Sequence, residues 1–450
     1  MPERIVCTVV TKSYLAYART LAETLTEHNP EAKLYVLLAD RVEDYFQPET
    51  EPFELIYLED LPEQDAIAQM SFYYTPLEFC CALRGLLHEY ILEHTTAESW
   101  LFIDCDILIC DSLEPIFQEL SETSLIFSPH CSRPVPLEQA DHEINFLVHG
   151  INNGGFMGLR RTEQTRQFIQ WWKDRLIHYC FLDCAIGDPR GLAADQLWLN
   201  LAVLYFSDFK FLKHPGTNIG HWNFYEKTFE RDMQGNVLVN GQPLLFLHFS
   251  GWDIDRPHFV SKNTSLYPEE ITSPWAELAD IYRDKLLKNS YEKTRQFPYT
   301  FSKFNDGTPI TQAVRRGYYD ELKQGIAISA PFENSEYFQA KRYTLDSTHF
   351  LREELYGVYQ QLVELQQQNH QTHLTLQQTQ LSLQQTQSSL EQTVDEFTQF
   401  RQQADAEIAR SHQTISEMEN SIFWKARNVW WKIKQRLGQP EVKLLEQKKE

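Results

Sequence analysis

LFIDCDILICD, residues 101–111, carries three apolar side chains, Leu101, Phe102 and Ile103, straight into Asp104 and Asp106. The apolar run has the composition of a strand in the middle of a sheet. Residues i and i+2 of a strand project to the same face, so both carboxylates are expected to point one way and Cys105 the other. Two like charges this close repel, and each raises the other's affinity for a proton. Water, a basic partner or a cation has to compensate them.

Outward from this stretch, residues 1–260 alternate between strand-like and helix-like segments. RIVCTVV (4–10), KLYVLLAD (33–40) and FELIYLED (53–60) read as strands. Tyr14 to Glu27 reads as a helix with Leu15, Ala18, Leu21, Ala22 and Leu25 on one face. Pro76 opens a helix through His94, apolar at Leu77, Cys80, Cys81, Leu86, Leu87 and Ile91. SLIFSPH, the stretch Phe156–Leu159, FKFLKH and PLLFLHFSG supply further strands, with helices over 162–180 and 194–205. This alternation predicts an α/β domain with a mostly parallel sheet flanked by helices. Such sheets bind ligands at the carboxyl ends of their strands, where Asp104 and Asp106 fall.

Composition excludes several classes. With 450 residues, 42 % of them apolar, the chain can bury a large core. A formal charge of −22 argues against general affinity for nucleic-acid phosphates. Eight cysteines without a CxxC pair read as small buried hydrophobes in a reducing compartment. A zinc site through His178, Cys180 and Cys184 lacks a fourth ligand. MPERIVCTVV has no apolar signal core, and no run approaches the roughly 20 apolar residues of a membrane span. The expectation is a cytoplasmic protein, able to touch the inner membrane face peripherally.

Residues 261–350 are rich in Pro, Trp, Tyr and Phe and read as a mainly helical appendage with a loop at Asn305-Asp306-Gly307. From 351 to 420 a seven-residue spine runs Leu355, Leu362, Asn369, Leu376, Leu383, Leu390, Phe397, Ala404. Its second seam is poorer, with Val358 and Leu365 leading into Thr372, Thr379 and Thr386. It then shifts to Val394, Ile408, Ile415 and Ile422. The spacing predicts a coiled coil joining copies of the chain, against the alternative of a solvated Gln-rich helix. The tail, 421–450, opens with SIFWKARNVWWKIKQRLG (421–438), which mixes Phe423, Trp424, Trp430, Trp431, Ile433 and Leu437 with Lys425, Arg427, Lys432, Lys434 and Arg436. A helix of that composition suits either an anionic lipid surface or the protein's own acidic body.

The Asp pair suits a hard divalent cation, Mn²⁺ or Mg²⁺. Taken alone, it is equally a capped turn in which Asp106 or Asp111 satisfies backbone donors before SLEPIF. Other segments add to it. INNGGFMGL sets Asn152 and Asn153 before two glycines, where amides can meet sugar hydroxyls and the backbone can approach a ligand; an ordinary turn is the alternative. AADQLWLNL puts Asp195 and Gln196 at the head of a helix, where an N-cap is the commonest use of Asp. LLFLHFSGWD ends a strand on His248, an acceptable Mn²⁺ ligand or a partly buried histidine.

Together and in this order, these segments resemble glycosyltransferase family 8 of the GT-A type, the glycogenin-like and lipopolysaccharide-galactosyltransferase group. The matching pieces are CTVVTKSYLAYARTLAETL, Arg84, FIDCDILICDSLEPIF, INNGGFMGL, DQLWLN and HFSG, spanning residues 4–255. The resemblance implies a Rossmann-like GT-A domain with metal ligands Asp104, Asp106 and His248. It implies a nucleotide site along Thr8, Val10, Thr11 and Tyr14, with Cys105, Asn153, Gly154 and Gly251 near the donor. Asn152, Asp195 and Gln196 would orient the sugar. Arg84 stands where the family usually has Lys. The family's Lys after His-x-x-Gly is replaced by Trp252-Asp253, leaving Arg256 as the next cation.

The implied activity is metal-dependent transfer of a sugar, with retention, from a nucleotide-diphosphate sugar of the UDP type to a glycan, lipid or protein acceptor. An inactive sugar-binding tether is the alternative. A sugar-phosphate nucleotidyltransferase would want a Gly-rich loop after the first strand, and TVVTKSYLAY lacks one.

Overall fold

The computed structural model describes residues 3–137, 140–182, 192–264, 267, 271, 274–341 and 347–437, and the chain divides into two compact units, Met1–Gln367 and Gln368–Glu450. In the first unit RIVCTVV forms β1 (Arg4–Val10), and the apolar stripe starting at Leu15 forms α1 (Leu15–His28). β2 (Ala32–Leu38) and β3 (Glu54–Ile56) follow, then α2 (Gln64–Tyr73), α3 (Pro76–His94), β4 (Ser99–Ile103), β5 (Ile107–Ile109) and α4 (Glu114–Leu120). β6 (Leu125–Pro129), α5 (Asp141–His149), β7 (Asn152–Arg160), α6 (Glu163–Tyr179), α7 (Leu199–Tyr205) and β8 (Phe209–Phe211) complete the main sheet and its helices. The rest of the unit holds β9 (Phe229–Arg231), β10 (Val237–Val239), β11 (Gln242–Pro243), β12 (Phe246–His248), α8 (Trp275–Lys288), α9 (Tyr291–Thr294), α10 (Gln312–Lys323) and α11 (Ser335–Lys341).

The seven-stranded sheet has the order β3-β2-β1-β4-β7-β6-β8. Every neighbouring pair is parallel except the two that β7 makes with β4 and β6. The expected mostly parallel α/β sheet is thus present. Alternation along the strands divides the core in two. Cys7, Phe102, Phe127 and Met157 face one cluster with α2, α3 and α6; Val6, Leu101, Ile103, Ile126 and Phe156 face the other, with α1 and α4. Each large apolar side chain so buried contributes about 1.5–3 kcal/mol.

Several sequence expectations change in detail. The 101–111 stretch is not one strand: it breaks after Ile103 and resumes at Ile107, with Cys105 and Asp106 in a turn. Strand alternation therefore does not bring the carboxylates together; the turn does, and Asp in a turn is unexceptional. Asn152, Asn153 and both following glycines lie inside β7 rather than ahead of it. β3 stops at Ile56 and gives way to a 3₁₀ turn, Leu58–Asp60. The 194–205 segment splits into a 3₁₀ turn, Gln196–Trp198, and α7. Leu77 is exposed because it sits in the first turn of α3, beside the capping Thr75.

Residues 275–341 are part of the first unit's core. Glu78 closes a capping box on α3, accepting from the backbone N–H of Thr75 at 2.8 Å, and also pairs with Arg316 of α10 at 2.6 Å. Arg315 donates to the carbonyls of Phe72 and Tyr74 at 2.6 and 2.9 Å, and to that of Phe301 at 2.6 Å. Both arginines are buried, so these bonds are made away from water and their loss would be costly.

α12 (Ser347–Asn420) runs from the first unit into the second, which ends in α13 (Ile422–Arg436). The side chains of Leu355, Val358, Leu362 and Asn369 lie outside the described residues, as do Cys184 and residues 438–450. Leu376, Leu383, Leu390 and Phe397 of the expected spine are exposed. Thr379, Thr386 and Thr393, three residues further along each heptad, donate their hydroxyls to the carbonyl four residues back at 2.7–2.8 Å. No helix among the described residues is long and apolar enough to cross a membrane.

Candidate metal centre

β4 runs parallel beside β1 and delivers Asp104 just past its carboxyl end. The Asp104 N–H donates to the Gly155 carbonyl at 2.9 Å, which extends the β4–β7 ladder one step beyond Ile103↔Phe156. β5 then pairs antiparallel with β12 in the register Ile107↔His248, so His248 lands beside Asp106. Segments more than a hundred residues apart meet here: His248 Nε2 is 3.1 Å from Asp106 Oδ1 and 3.8 Å from Asp104 Oδ2. Among the described residues this is the one cluster of His, Cys, Asp and Glu whose ligand atoms, here within 4.8 Å of one another, suit a metal. Asp111 accepts from Ser112 N–H at 2.7 Å, and the donors at the head of α4 go to Asn29 and Ser112.

Hydrogen bonds fix the imidazole tautomer from a backbone donor outward. Gly155 N–H donates to Asn153 Oδ1 at 3.0 Å, so that oxygen is an acceptor. Asn218 therefore presents its Nδ2 there, at 3.1 Å, with a second bond to Ser128 Oγ at 2.8 Å. Its Oδ1 is left to accept from His248 Nδ1 at 3.0 Å. With a proton on Nδ1, Nε2 is the nitrogen that faces the two carboxylates, the orientation typical of a metal-ligating histidine.

Gly155 is needed for this packing. A Cβ there would stand 2.3 Å from His248 Cε1 and 2.7 Å from Asp104 Oδ2. Burial pushes Asp104 above the usual carboxylate range, against the pull of Arg84. Burial acts likewise on Asp106, but the neighbouring His248 outweighs it and holds the group below that range. For His248 burial works downward, and Asp106 outweighs it to raise the imidazole.

Arg84, on α3, ties the metal cluster to the second group of predicted residues. Its Nη2 donates to Asp104 at 2.6 Å and its Nη1 to Asp195 at 2.7 Å and to the Gly154 carbonyl at 2.8 Å. The guanidinium lies 4.6 Å from the centre of the Phe102 ring. Asp195 is thus the counter-charge of Arg84, and its side chain makes no helix-capping bond. Gln196 accepts from Gly154 N–H at 3.2 Å and donates to the His149 carbonyl at 2.9 Å. Asn152 is fully buried, and both its amide atoms are without a protein partner.

Around the rim, Thr8 is buried on β1 with its hydroxyl unpartnered, and Val10 closes the strand. Thr11 shares a hydroxyl bond with Ser13 at 2.9 Å, and Tyr14 is half-exposed and stacked on Tyr17 with centroids 5.0 Å apart. Cys105 is partly buried in the turn between the aspartates. Gly251 needs its positive φ of 66° for the turn after His248. Arg256 is not drawn into the cluster: it is exposed, lies 3.9 Å over the Phe259 ring, and among the described residues makes no hydrogen bond to the triad.

Two participants escaped the sequence reading. Asn218 carries no local signal, since only tertiary packing puts it behind His248. Lys262 is eleven residues beyond Gly251, yet its N–H donates to the Gly251 carbonyl at 2.9 Å. The bond is a main-chain one: the backbone of Lys262 returns to this turn, and its side chain is exposed.

No protein-family model matches the chain. Two uncharacterized proteins of Bacillus subtilis (strain 168) are similar to it. YfnF is 25% identical over 253 residues, 55% of this chain and 81% of that protein. YfnD is 24% identical over 255 residues, 55% of this chain and 77% of that protein. Similar solved structures include the galactosyltransferase LgtC with donor and acceptor sugar analogs, at TM-score 0.39 and 16% identity, covering 63% of this chain and 95% of that one. The glycosyltransferase GlyE of Streptococcus pneumoniae TIGR4 gives TM-score 0.37 and 16% identity, covering 68% of this chain and 67% of that one.

Proposed function

We propose that the chain is a metal-dependent glycosyltransferase of the GT-A type that takes a sugar from a nucleotide diphosphate, with UDP as the favoured nucleotide. The observation that carries this reading is the convergence of Asp104, Asp106 and His248 at the end of β4, with Nε2 of His248 turned toward both carboxylates. The donor set of two carboxylate oxygens and one imidazole nitrogen suits Mn²⁺ or Mg²⁺, and the missing Cβ of Gly155 keeps its space open. When bound there, the ion would supply positive charge to the departing diphosphate.

The chain's own residues do the rest. Arg84 has both terminal nitrogens engaged by Asp104 and Asp195, so its task is to position these carboxylates rather than to hold phosphate. Lys262 meets the His248–Gly251 turn through its backbone N–H, and its exposed side chain is our candidate for contact with the diphosphate. Asn152 brings an unpartnered amide to the start of β7; it is fully enclosed, so a sugar hydroxyl would satisfy it only once the chain around it opens. Holding the sugar by several such groups places its anomeric carbon against an acceptor hydroxyl. Retention of configuration follows from the family resemblance and belongs to the same proposal. The acceptor would be a glycan, lipid or protein.

The decisive experiment is thermal melting of the full chain with a panel of nucleotide sugars, with and without Mn²⁺. A donor that binds the folded state raises the midpoint, and more so with the ion. Asp106→Ala is expected to abolish the metal-dependent part of the rise. An unchanged rise in that variant, or no rise with any donor, refutes the reading.

We also propose that α12 pairs with the same helix of a second chain. Its Leu and Phe spine is exposed, and the intervening threonines already satisfy their own hydroxyls, so both can be covered without orphaning a polar group. Light scattering of the full chain against Leu383→Glu tests this: the variant is expected to halve the mass. A monomeric wild type refutes it.

A further inference from the structure

We propose that α13 is an interfacial helix that docks the protein onto an anionic lipid bilayer. The helix is set off by design: Ser421 leaves helical geometry with ψ 149°, and its hydroxyl accepts from Trp424 N–H at 3.2 Å, capping a new start. At about 100° per residue, Val429, Ile422, Ile433, Ala426, Leu437, Trp430 and Phe423 fall in succession on one arc. That arc spans roughly 120°, the width of an apolar face that normally has to be covered. It is uncovered here: Phe423 is 88% exposed, Ile422 83% and Leu437 75%.

The charges decide what covers it. Lys434 and Arg427 border the arc on one side; Arg436, Lys425 and Lys432 border it on the other. These five cations face no acidic residue within 421–437, in a chain whose net charge is −22. Two such faces packed on each other would set cation against cation, which disfavours a second copy. A nucleic acid would use the charges and leave the apolar arc wet. A bilayer with anionic headgroups accepts both, acyl chains under the arc and phosphates beside it. Lys434 lies 4.7 Å from the centre of the Trp430 ring, at the edge where an amphipathic indole and a snorkelling amine belong. Trp424, on the far side, is half-buried and lines one cleft with Thr414, Glu417 and Met418 of α12 and with Phe423 at the arc's edge, and Arg427 stacks on it at 3.5 Å.

The test is sedimentation of the full chain with vesicles of phosphatidylcholine alone or with phosphatidylglycerol. The expected result is binding that requires phosphatidylglycerol and weakens with salt. Val429→Asp with Ile433→Asp should abolish it. Lys425→Gln, Lys432→Gln and Lys434→Gln together should lower the partition coefficient on the order of 100-fold. In the bound state, emission should lose its blue shift in Trp430→Phe and keep it in Trp431→Phe. Failure of the wild type to bind, equal binding to both vesicles, or undiminished binding by the aspartate variant overturns the proposal. So does a change of oligomeric state in that variant without vesicles, which would make a second copy the occupant. No nucleotide sugar enters the assay, so its outcome is independent of the donor site.

Discussion

The imidazole of His248 donates through Nδ1 to the side-chain oxygen of Asn218 at 3.0 Å, and that one bond decides which nitrogen faces Asp104 and Asp106. Asn218 is itself oriented by Asn153 and Ser128, so the tautomer is set by a chain that begins at the backbone of Gly155.

Replacing Asn218 by Asp keeps the bulk and a residue type that tolerates its positive φ of 44°, but removes the Nδ2 donor that fixes which atom faces His248. Mn²⁺ affinity, read by titration calorimetry, is expected to fall about 10–100-fold, the usual cost of altering a partner behind a ligating histidine. Unaltered affinity would show that Asn218 does not orient the ring.

Gly155→Ala tests the cradle. The added methyl meets His248 and Asp104 at distances no real Cβ tolerates. Overpacking of this kind costs about 1–3 kcal/mol. The variant should melt lower and lose its Mn²⁺-dependent stabilisation altogether; a normal metal response would mean that the two side chains are not held as described.

Arg84 neutralises Asp104 and Asp195 where all three are largely withdrawn from solvent. Arg84→Met should destabilise the protein by about 3–5 kcal/mol, because two carboxylates lose their counter-charge. Arg84→Lys should recover only part of this, since an ammonium cannot fork between two carboxylates. Full recovery in urea melts would argue that the charge alone matters.

Acid stability follows from two histidines outside the triad. Burial lowers His88 to about 3 and His130 to about 4, whereas both would take up protons near 6.5 when unfolded. Their contribution is complete above pH 6.5 and is lost as pH falls toward 4, at ~1.4 kcal/mol per pH unit for each group. His88→Gln keeps an acceptor for Trp100 Nε1, which bonds His88 at 3.0 Å. Between pH 6.5 and 4.5 its unfolding free energy should fall less steeply than the wild type's; equal slopes would contradict the assignment.

Much of the fold could be read from local pattern. The stripe of α1, the Pro76 that opens α3 and the apolar runs of β1, β2 and β4 each state their element in a few residues. The grouping of Asp104, Asp106, Asn153, Asp195, Gln196 and His248 was not legible in any one segment and came only with the family resemblance of their order along the chain. The break after Ile103 was not legible, because it depends on β12 arriving to pair with β5. Asn218 and Lys262 were hidden for the same reason: each reaches its place through a contact with no sequence neighbour in it. The double engagement of Arg84 was likewise invisible, since Asp195 lies 111 residues from it.

The bonds of Arg315 and Arg316 to the segment around Phe72–Glu78 constrain anyone who would trim the chain for crystallography. A fragment ending at residue 260 would strip the Phe72 and Tyr74 carbonyls and the buried Glu78 carboxylate of their arginine donors. The smallest piece worth expressing therefore runs to Lys341, and an inactive shorter fragment would say nothing about chemistry.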